Sequence, residues 1–375
     1  VHLSVFLGPF SKGPADDAPL IDLCLEQAVA AAEAGFAMVT FGEQHFSNYE
    51  PYCNPFVIAG LLSRQLGEAW FGTTIVPLPL HNPIRLAEDS SIVDLLLRGR
   101  FIMGMSAGRT FAPDFENFGL DPAARDEIFA SKLDILLKAR AHQVGDPPLV
   151  VDTPWDRARL DGRLMPASWR AGGPVLAVGT STDTTIEKFG QLGWPLFLGP
   201  AVPALAARKF QLHREAMANA GRGTEEIRRA SVRSLVTRHV IVGQTDEEAW
   251  EMAETMAGRN FMMDRSNDDR SMREMAAVDL SAPGAFQQPN IRNTAYVQSW
   301  IIAGDPESVA SQINAYDGLG IPHLNTRFTV GIFNPELMAR SFDLFVSDVL
   351  PLVKTERFAA LGPDEIRPEH AVVSR

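Results

Sequence analysis

The sequence predicts a (β/α)8 barrel, and three observations predict it. Short apolar runs alternate with amphipathic helical stretches in eight units along the 375 residues. The runs are apolar on both faces, as parallel strands covered by helices require, instead of alternating. Their connections are short through Met105. Eight successive units favour closure over an open doubly wound sheet.

The elements follow in order. His2 to Leu7 reads as the first strand, stopped by Gly8-Pro9. Leu20 to Glu33 reads as a helix, because Leu20, Leu23, Cys24, Ala28, Ala31 and Ala32 share one face. Gly35 closes it, where a left-handed backbone costs glycine little. Phe36 to Phe41 is the second strand. Asn54-Pro55 opens a helix through Leu66, with proline at the first helical position. Phe71 to Val76 is the third strand, Asn82-Pro83 opens a helix to Leu97, and Phe101 to Met105 is the fourth strand. Val175 to Val178 and Leu196 to Leu198 are strands five and six, followed by helices from Thr182 and over Ala204 to Ala220. Leu235 to Val242 is strand seven, with a helix from Asp246. A helix over Asp305 to Tyr316, a strand over Asn325 to Thr329 and a helix over Pro335 to Leu350 complete the set.

Two stretches break the rhythm. Ala141 to Gly173 is rich in Pro, Gly and Asp; Arg259 to Thr294 is charged and then rich in Pro, Gln and Asn. They read as insertions in one barrel domain spanning 1–375, at 141–173 after the strand-four helix and at 259–294 after strand seven. Insertions of this kind serve as lids or as passive elaboration. The polar tail after Leu361 is expected to fray.

Composition excludes several functions. The chain is 46% hydrophobic and 21% charged, and 46 acidic against 34 basic residues leave a net charge of −12. A protein built on phosphate contacts to nucleic acid is expected to be basic. No apolar run reaches the roughly 18–20 residues of a spanning helix. The opening VHLSVFLGPF lacks the positive leader of a signal peptide. Two cysteines form no disulfide framework. A cytoplasmic enzyme with no nucleic-acid or membrane partner is the expectation.

In a barrel the reactive groups lie at the carboxyl ends of the strands. Strand two ends in Gly42-Glu43-Gln44-His45-Phe46, where a carboxylate beside an imidazole suits proton transfer. Strand four ends in G-M-S-A-G-R, from Gly104 through Ser106 to Arg109, which is neither a Walker loop nor a dinucleotide fingerprint. Strand five ends in Thr180-Ser181, followed by Thr182, Thr184 and Thr185. Hydroxyls there suit either a phosphate at a helix amino terminus or simple capping. Arg238, His239 and Arg327 lie on strands seven and eight. Phe6, Phe46, Tyr49, Phe111, Phe115, Phe118, Trp169 and Trp194 are candidates to line an apolar pocket. No metal-ligand spacing and no serine-hydrolase elbow occurs.

The runs FGEQHFSNYEPYCNPF, GTTIVPLPLHNPIRLAEDSSIVDLLLRGRFIMGMSAGR and FENFGLDPAARDEIF resemble the bacterial luciferase-like flavin-dependent monooxygenases. The resemblance is dense from Phe36 to Leu137 and looser through GPVLAVGTSTDTT and GDPESVASQI. It implies a TIM barrel that takes reduced flavin mononucleotide (FMN) from a separate flavin reductase. With dioxygen a flavin peroxide then oxygenates a small organic substrate. It places Glu43 beside the isoalloxazine. It puts Gln44 and His45 where light-emitting members have two histidines, and Ser106 where they have a reactive cysteine. It assigns the phosphate to Arg125, Thr180, Ser181 and Thr184. Glu43, Gln44 and His45 become the catalytic candidates, and with Gln44 unable to take up a proton, light emission is not expected. The resemblance also implies a homodimer through helices near strands two and three, where Val57, Ile58, Leu61 and Leu62 supply apolar surface. Two alternatives stand beside it: a deazaflavin-dependent hydride-transfer oxidoreductase, and a catalytically silent flavin-binding subunit.

Overall fold

The alternation of apolar runs and helices folds as expected, and a computed structural model describes all residues except 12, 48, 109–113, 255–299, 329–334 and 372–375. The barrel strands are β1 (His2–Phe6), β2 (Met38–Phe41), β3 (Trp70–Pro77), β4 (Phe101–Ser106), β7 (Val175–Gly179), β8 (Leu196–Leu198), β9 (Leu235–Val242) and β11 (His323–Arg327). They pair in parallel in the order β1-β2-β3-β4-β7-β8-β9-β11, and β11 returns to β1, which closes the barrel. The helices between them include α1 (Pro14–Ala34), α2 (Pro55–Leu62), α3 (Pro83–Leu96), α5 (Arg125–Ala141), α6 (Asp183–Gln191) and α7 (Pro203–Asn219). The short α4 (Asp114–Asn117) precedes α5, and α8 (Thr224–Arg233) precedes β9. After β9, residues 246–254 are helical, and α9 (Pro306–Gly318) and α10 (Pro335–Leu344) follow in the last part.

Local chemistry sets these boundaries. Asn54 and Asn82 each accept two backbone N–H bonds at the first turns of α2 and α3, with proline in the first turn. Gly35 ends α1 in the left-handed conformation at φ 102°. Helix α1 starts earlier than its apolar face does, at Pro14, and buries Leu20, Cys24, Ala28, Ala31 and Ala32.

Several features differ from the sequence expectation. Strand β11 begins two residues before Asn325, at His323. The predicted last helix changes to a π-turn over Phe345–Val349. A ninth strand, β10 (Ile301–Gly304), pairs with the carboxyl half of β9. The 141–173 stretch contains an antiparallel hairpin, β5 (Leu149–Asp152) and β6 (Arg157–Leu160). The 259–294 stretch lies outside the described residues. The described part of the tail after Leu361 is held to the barrel instead of fraying: Glu365 pairs with Arg170 at 2.6 Å, and Arg367 N donates to Trp169 O at 3.0 Å.

Every second strand residue faces inward. Met38, Trp70, Ile102, Ala177, Phe197 and Leu235 form one apolar layer inside the barrel. Towards the carboxyl end the inward groups turn polar. Asn325 Oδ1 accepts from Ser4 Oγ at 2.8 Å and Thr40 Oγ1 at 3.1 Å, and its Nδ2 donates to Thr237 Oγ1 at 3.4 Å. Ser4, Thr40, Thr237 and Asn325 thus partner one another, and Thr237 forms part of the floor of the cavity above.

Candidate active site

That cavity opens at the carboxyl end of the barrel and holds about 830 Å³. Glycine stands at two crowded strand positions, Gly104 against the inner apolar layer and Gly179 in the cavity wall. A Cβ on Gly104 would meet Thr73 O at 2.4 Å and the Phe197 ring at 2.6 Å. A Cβ on Gly179 would meet Ile75 at 2.8 Å. The β3–β4 register shifts between Thr73 and Val76, on either side of Ile75.

Glu43 leaves β2 just after Gly42, whose N–H donates to Tyr52 Oη at 3.1 Å. The carboxylate is buried, and its Oε1 accepts from two imidazoles, His45 Nε2 at 2.8 Å and His81 Nε2 at 2.7 Å. An ionised carboxylate only accepts, so both rings present Nε2–H to it. Glu43 Oε2 is buried and has no hydrogen-bond partner among the described residues. Burial pushes the Glu43 carboxyl up, but the two imidazole bonds outweigh it and hold the group below its ordinary value. The bond to Glu43 raises the His45 pKa against the effect of burial, and the Asp114 charge adds to the rise.

His81 is the site residue that sequence reasoning missed. It follows the 3-10 turn Leu78–Leu80 and precedes the Asn82 cap, so cap and turn fix its backbone. Its carbonyl accepts from the buried Lys132 Nζ at 2.7 Å, and Lys132 lies 3.5 Å from Asp156 beside the β5–β6 hairpin. The one signal for it in the sequence is a histidine just beyond strand three, directly before the Asn82 cap.

The other expected residues fall into two groups. Glu43, Gln44, Ser106, Arg125, Thr180, Ser181 and Thr184 all line the one cavity. His45 is not part of its wall and reaches it only through Glu43; its ring packs edge-on against Phe118. Ser106 Oγ accepts from Gly108 N at 3.0 Å, and Arg125, the first residue of α5, donates to Gly108 O at 3.3 Å and lies 3.5 Å from Asp126. Thr182 is the N-cap of α6 yet makes no side-chain capping bond, so capping does not consume this run of hydroxyls. Thr180 Oγ1 accepts from Thr182 N at 3.2 Å.

The opposite wall is aromatic and basic. The Arg327 guanidinium lies 4.8 Å from both the Phe6 and Tyr49 ring centres. His239 is buried with neither ring nitrogen partnered among the described residues, and it stacks on Trp300 at 5.1 Å. Burial holds its pKa well below the ordinary value. Arg238 points away from the cavity, bonding to Tyr316 Oη and to Ile301 O. Of the expected aromatics, Phe6, Tyr49 and Phe115 line the cavity, and Phe46 and Phe118 flank His45. Trp169 and Trp194 do not line it, because each precedes β7 or β8 and therefore sits towards the amino end. Arg109 and Phe111 lie outside the described residues. Among the described residues no group of His, Cys, Asp or Glu is arranged to hold a metal ion, and no helix is long and apolar enough to cross a membrane.

Residues 2–323 match the family model described as luciferase-like monooxygenase. The 4-hydroxyprotoasukamycin monooxygenase of Streptomyces nodosus subsp. asukaensis is 28% identical over 185 residues, 49% of this chain and 48% of that protein. The oxygenating constituent of 3,6-diketocamphane monooxygenase from Pseudomonas putida, solved with FMN, matches with a TM-score of 0.71 at 19% identity, covering 95% of this chain and 99% of that one. An F420-dependent secondary alcohol dehydrogenase matches with a TM-score of 0.67 at 16% identity, covering 94% and 99%. At such identities the two structures speak for the fold. The matches to the first curated relatives span 36%, 48% and 52% of those proteins' lengths.

Proposed function

The chain belongs to the luciferase-like monooxygenase family, and from that premise we propose that it is the oxygenase of a two-component system. It takes reduced FMN from a separate flavin reductase and uses dioxygen to oxygenate a small organic substrate. One observation carries the reading. A single cavity joins an arginine and a run of hydroxyls at a helix amino terminus to a buried carboxylate with one unpartnered oxygen.

These residues fit the cofactor. Arg125 with Thr180, Ser181 and Thr184 would hold the phosphate, where free backbone N–H groups of α6 add to the attraction. Glu43 Oε2 would accept an N–H of the reduced ring system, which relieves a buried acceptor otherwise left without a bond. Bound reduced flavin supplies the electrons that activate dioxygen. The protein's part is to orient, exclude water and manage protons. His45 and His81 hold protons at Nε2 against Glu43, and imidazole is the side chain best suited to pass one on. Gln44 donates or accepts a hydrogen bond at the cavity wall without changing charge. The Phe6, Tyr49, Trp300 and Arg327 wall is left for the substrate.

The test is an anaerobic titration with reduced FMN, riboflavin and a deazaflavin, followed by oxygen and candidate substrates. Reduced FMN is expected to bind much more tightly than riboflavin, and turnover to need added reductase or chemical reduction. Equal affinity for riboflavin, tighter binding of the deazaflavin, or steady turnover with NADH and oxidised flavin alone overturns the reading.

A further inference from the structure

A second cavity of about 840 Å³ lies at the other end of the molecule. Its wall includes Leu95 near the end of α3, Arg140 and His142 at the end of α5, and Leu176 at the start of β7. The segment before β7 and the tail at Arg367 to His370 complete it. The proposed flavin site is at the carboxyl ends of the strands, so this cavity is not an extension of it.

The wall runs against the charge of the chain. The whole sequence has 46 acidic and 34 basic residues, yet three arginines, Arg140, Arg163 and Arg367, and one carboxylate, Glu369, line this cavity. Arg140 is committed to structure, donating to Gly172 O at 2.8 Å and Pro174 O at 3.0 Å. Arg367 is not: it makes no ion pair with a described residue, and its Nε is buried without a hydrogen-bond partner. His142 is 8% exposed. Its Nδ1 lies 4.0 Å from Asp146, and its Nε2 is buried with no partner among the described residues. A buried polar nitrogen without a partner is costly to leave so, and two line one cavity: Arg367 Nε, always a donor, and His142 Nε2, a donor in its Nε2–H tautomer. Arg163 supplies a further guanidinium at the exposed rim. Leu95, Leu137 and Trp194 give the same cavity an apolar wall.

We propose that this cavity is a second ligand site for an organic oxyanion, a carboxylate or phosphate head on an apolar body, with Arg367 and His142 binding the head. A guanidinium takes either head in bidentate fashion, and the leucines and Trp194 cover the body.

The test is calorimetric titration of the full chain with inorganic phosphate, phenyl phosphate and octanoate at 0.15 M salt, a level that screens exposed charge (Debye length ~8 Å). Arg125→Ala removes the phosphate anchor of the proposed flavin site, so binding that survives it belongs elsewhere. In that background phenyl phosphate or octanoate is expected to bind at one site, more tightly than inorganic phosphate. Whichever binds identifies the head. Arg367→Ala is expected to weaken the binding tenfold or more, His142→Ala to weaken it, and Arg367→Lys to recover part of it. Should Arg367→Ala not fold, Arg163→Glu at the exposed rim is expected to weaken binding by reversing a charge. Failure of all three probes to bind the Arg125→Ala protein overturns the proposal. Unchanged affinity in folded Arg367→Ala and His142→Ala proteins does the same. Neither result touches the flavin reading, which is decided by the titrations with reduced FMN, riboflavin and deazaflavin.

Discussion

Glu43 Oε1 takes two imidazole donors, and that one atom sets the electrostatics of the site. The sign of its pH dependence follows from the two shifts. The Glu43 pKa is lowered in the fold, so its contribution to stability is present above the ordinary carboxyl range and is lost as pH falls through the folded pKa. The His45 pKa is raised, so its contribution is complete below about 6.5 and is lost as pH rises through the folded pKa. Both are present together between about pH 4.5 and 6.5, and the stability lost in Glu43→Gln is expected to be largest there. Denaturant titrations of both proteins across pH 4–9 check this; a flat difference contradicts it. His45→Ala is expected to bind reduced FMN as before, because Arg125 and the α6 hydroxyls remain. It is expected to lose product by about 10²–10⁴-fold, the usual contribution of acid–base help, and to release hydrogen peroxide. Unchanged coupling of oxygen to product in the folded variant makes His45 scaffolding. Arg125→Ala is expected to weaken reduced FMN by about ten- to a hundredfold, since a charge-assisted bond contributes ~1.5–3 kcal/mol; fluorescence titration measures it. Glu43 and the 180–184 hydroxyls are legible in the sequence because each stands at a strand end or helix start, whereas Arg125 is legible only through the family resemblance of FENFGLDPAARDEIF. His81 stays hidden there because its partner is 38 residues away, and local spacing carries no information about contacts made by strand pairing.

At the scale of elements, caps and close approaches decide where the site residues stand. Asn82 accepts from Ile84 N at 3.1 Å and Arg85 N at 3.0 Å, and the residue before it is His81. Asn82→Ala is expected to cost about 0.5–2 kcal/mol of stability by loss of the cap, and to weaken reduced FMN because His81 loses its fixed position. Wild-type affinity in a destabilised Asn82→Ala protein separates the cap from the site. The same caps explain why so much of the fold is legible in the sequence. Asn-Pro pairs and apolar runs mark α2, α3 and the first four strands by local pattern alone. The elements that escape carry weaker patterns. The β5–β6 hairpin is mostly exposed, so its residues show no core periodicity. Strand β10 is four residues long and merges in the sequence with the approach to α9. Helix α8 buries only Ala230, so its apolar face is too small to mark it in the sequence. Trp169 and Trp194 sit at the opposite end of the barrel from the one expected, because composition says that an aromatic is buried but not at which end of a strand it lies.

For the whole molecule, the question is what covers the outer face of α2 and α3. The sequence offers four apolar residues on α2, and the fold divides them. Ile58 and Leu62 are 4% and 0% exposed and belong to the core, whereas Val57 and Leu61 are 61% and 56% exposed. On the neighbouring α3, Ile92 and Leu96 are 46% and 37% exposed. Single exposed leucines are ordinary on a soluble protein; a patch shared by two packed helices is a common mark of an interface. A two-fold axis through such a patch presents it to itself, which satisfies the isologous rule for dimers. The homodimer implied by the family is therefore proposed to form here. Light scattering at micromolar concentration is expected to give twice the 41.0 kDa chain mass. Leu61→Glu with Ile92→Glu is expected to give a folded monomer, since neither side chain supports the core and each new charge would face its symmetry copy. The cavity is lined within one chain, so the monomeric variant is expected to keep its affinity for reduced FMN. A wild-type monomer, or a double variant that stays dimeric, places the contact elsewhere or removes it.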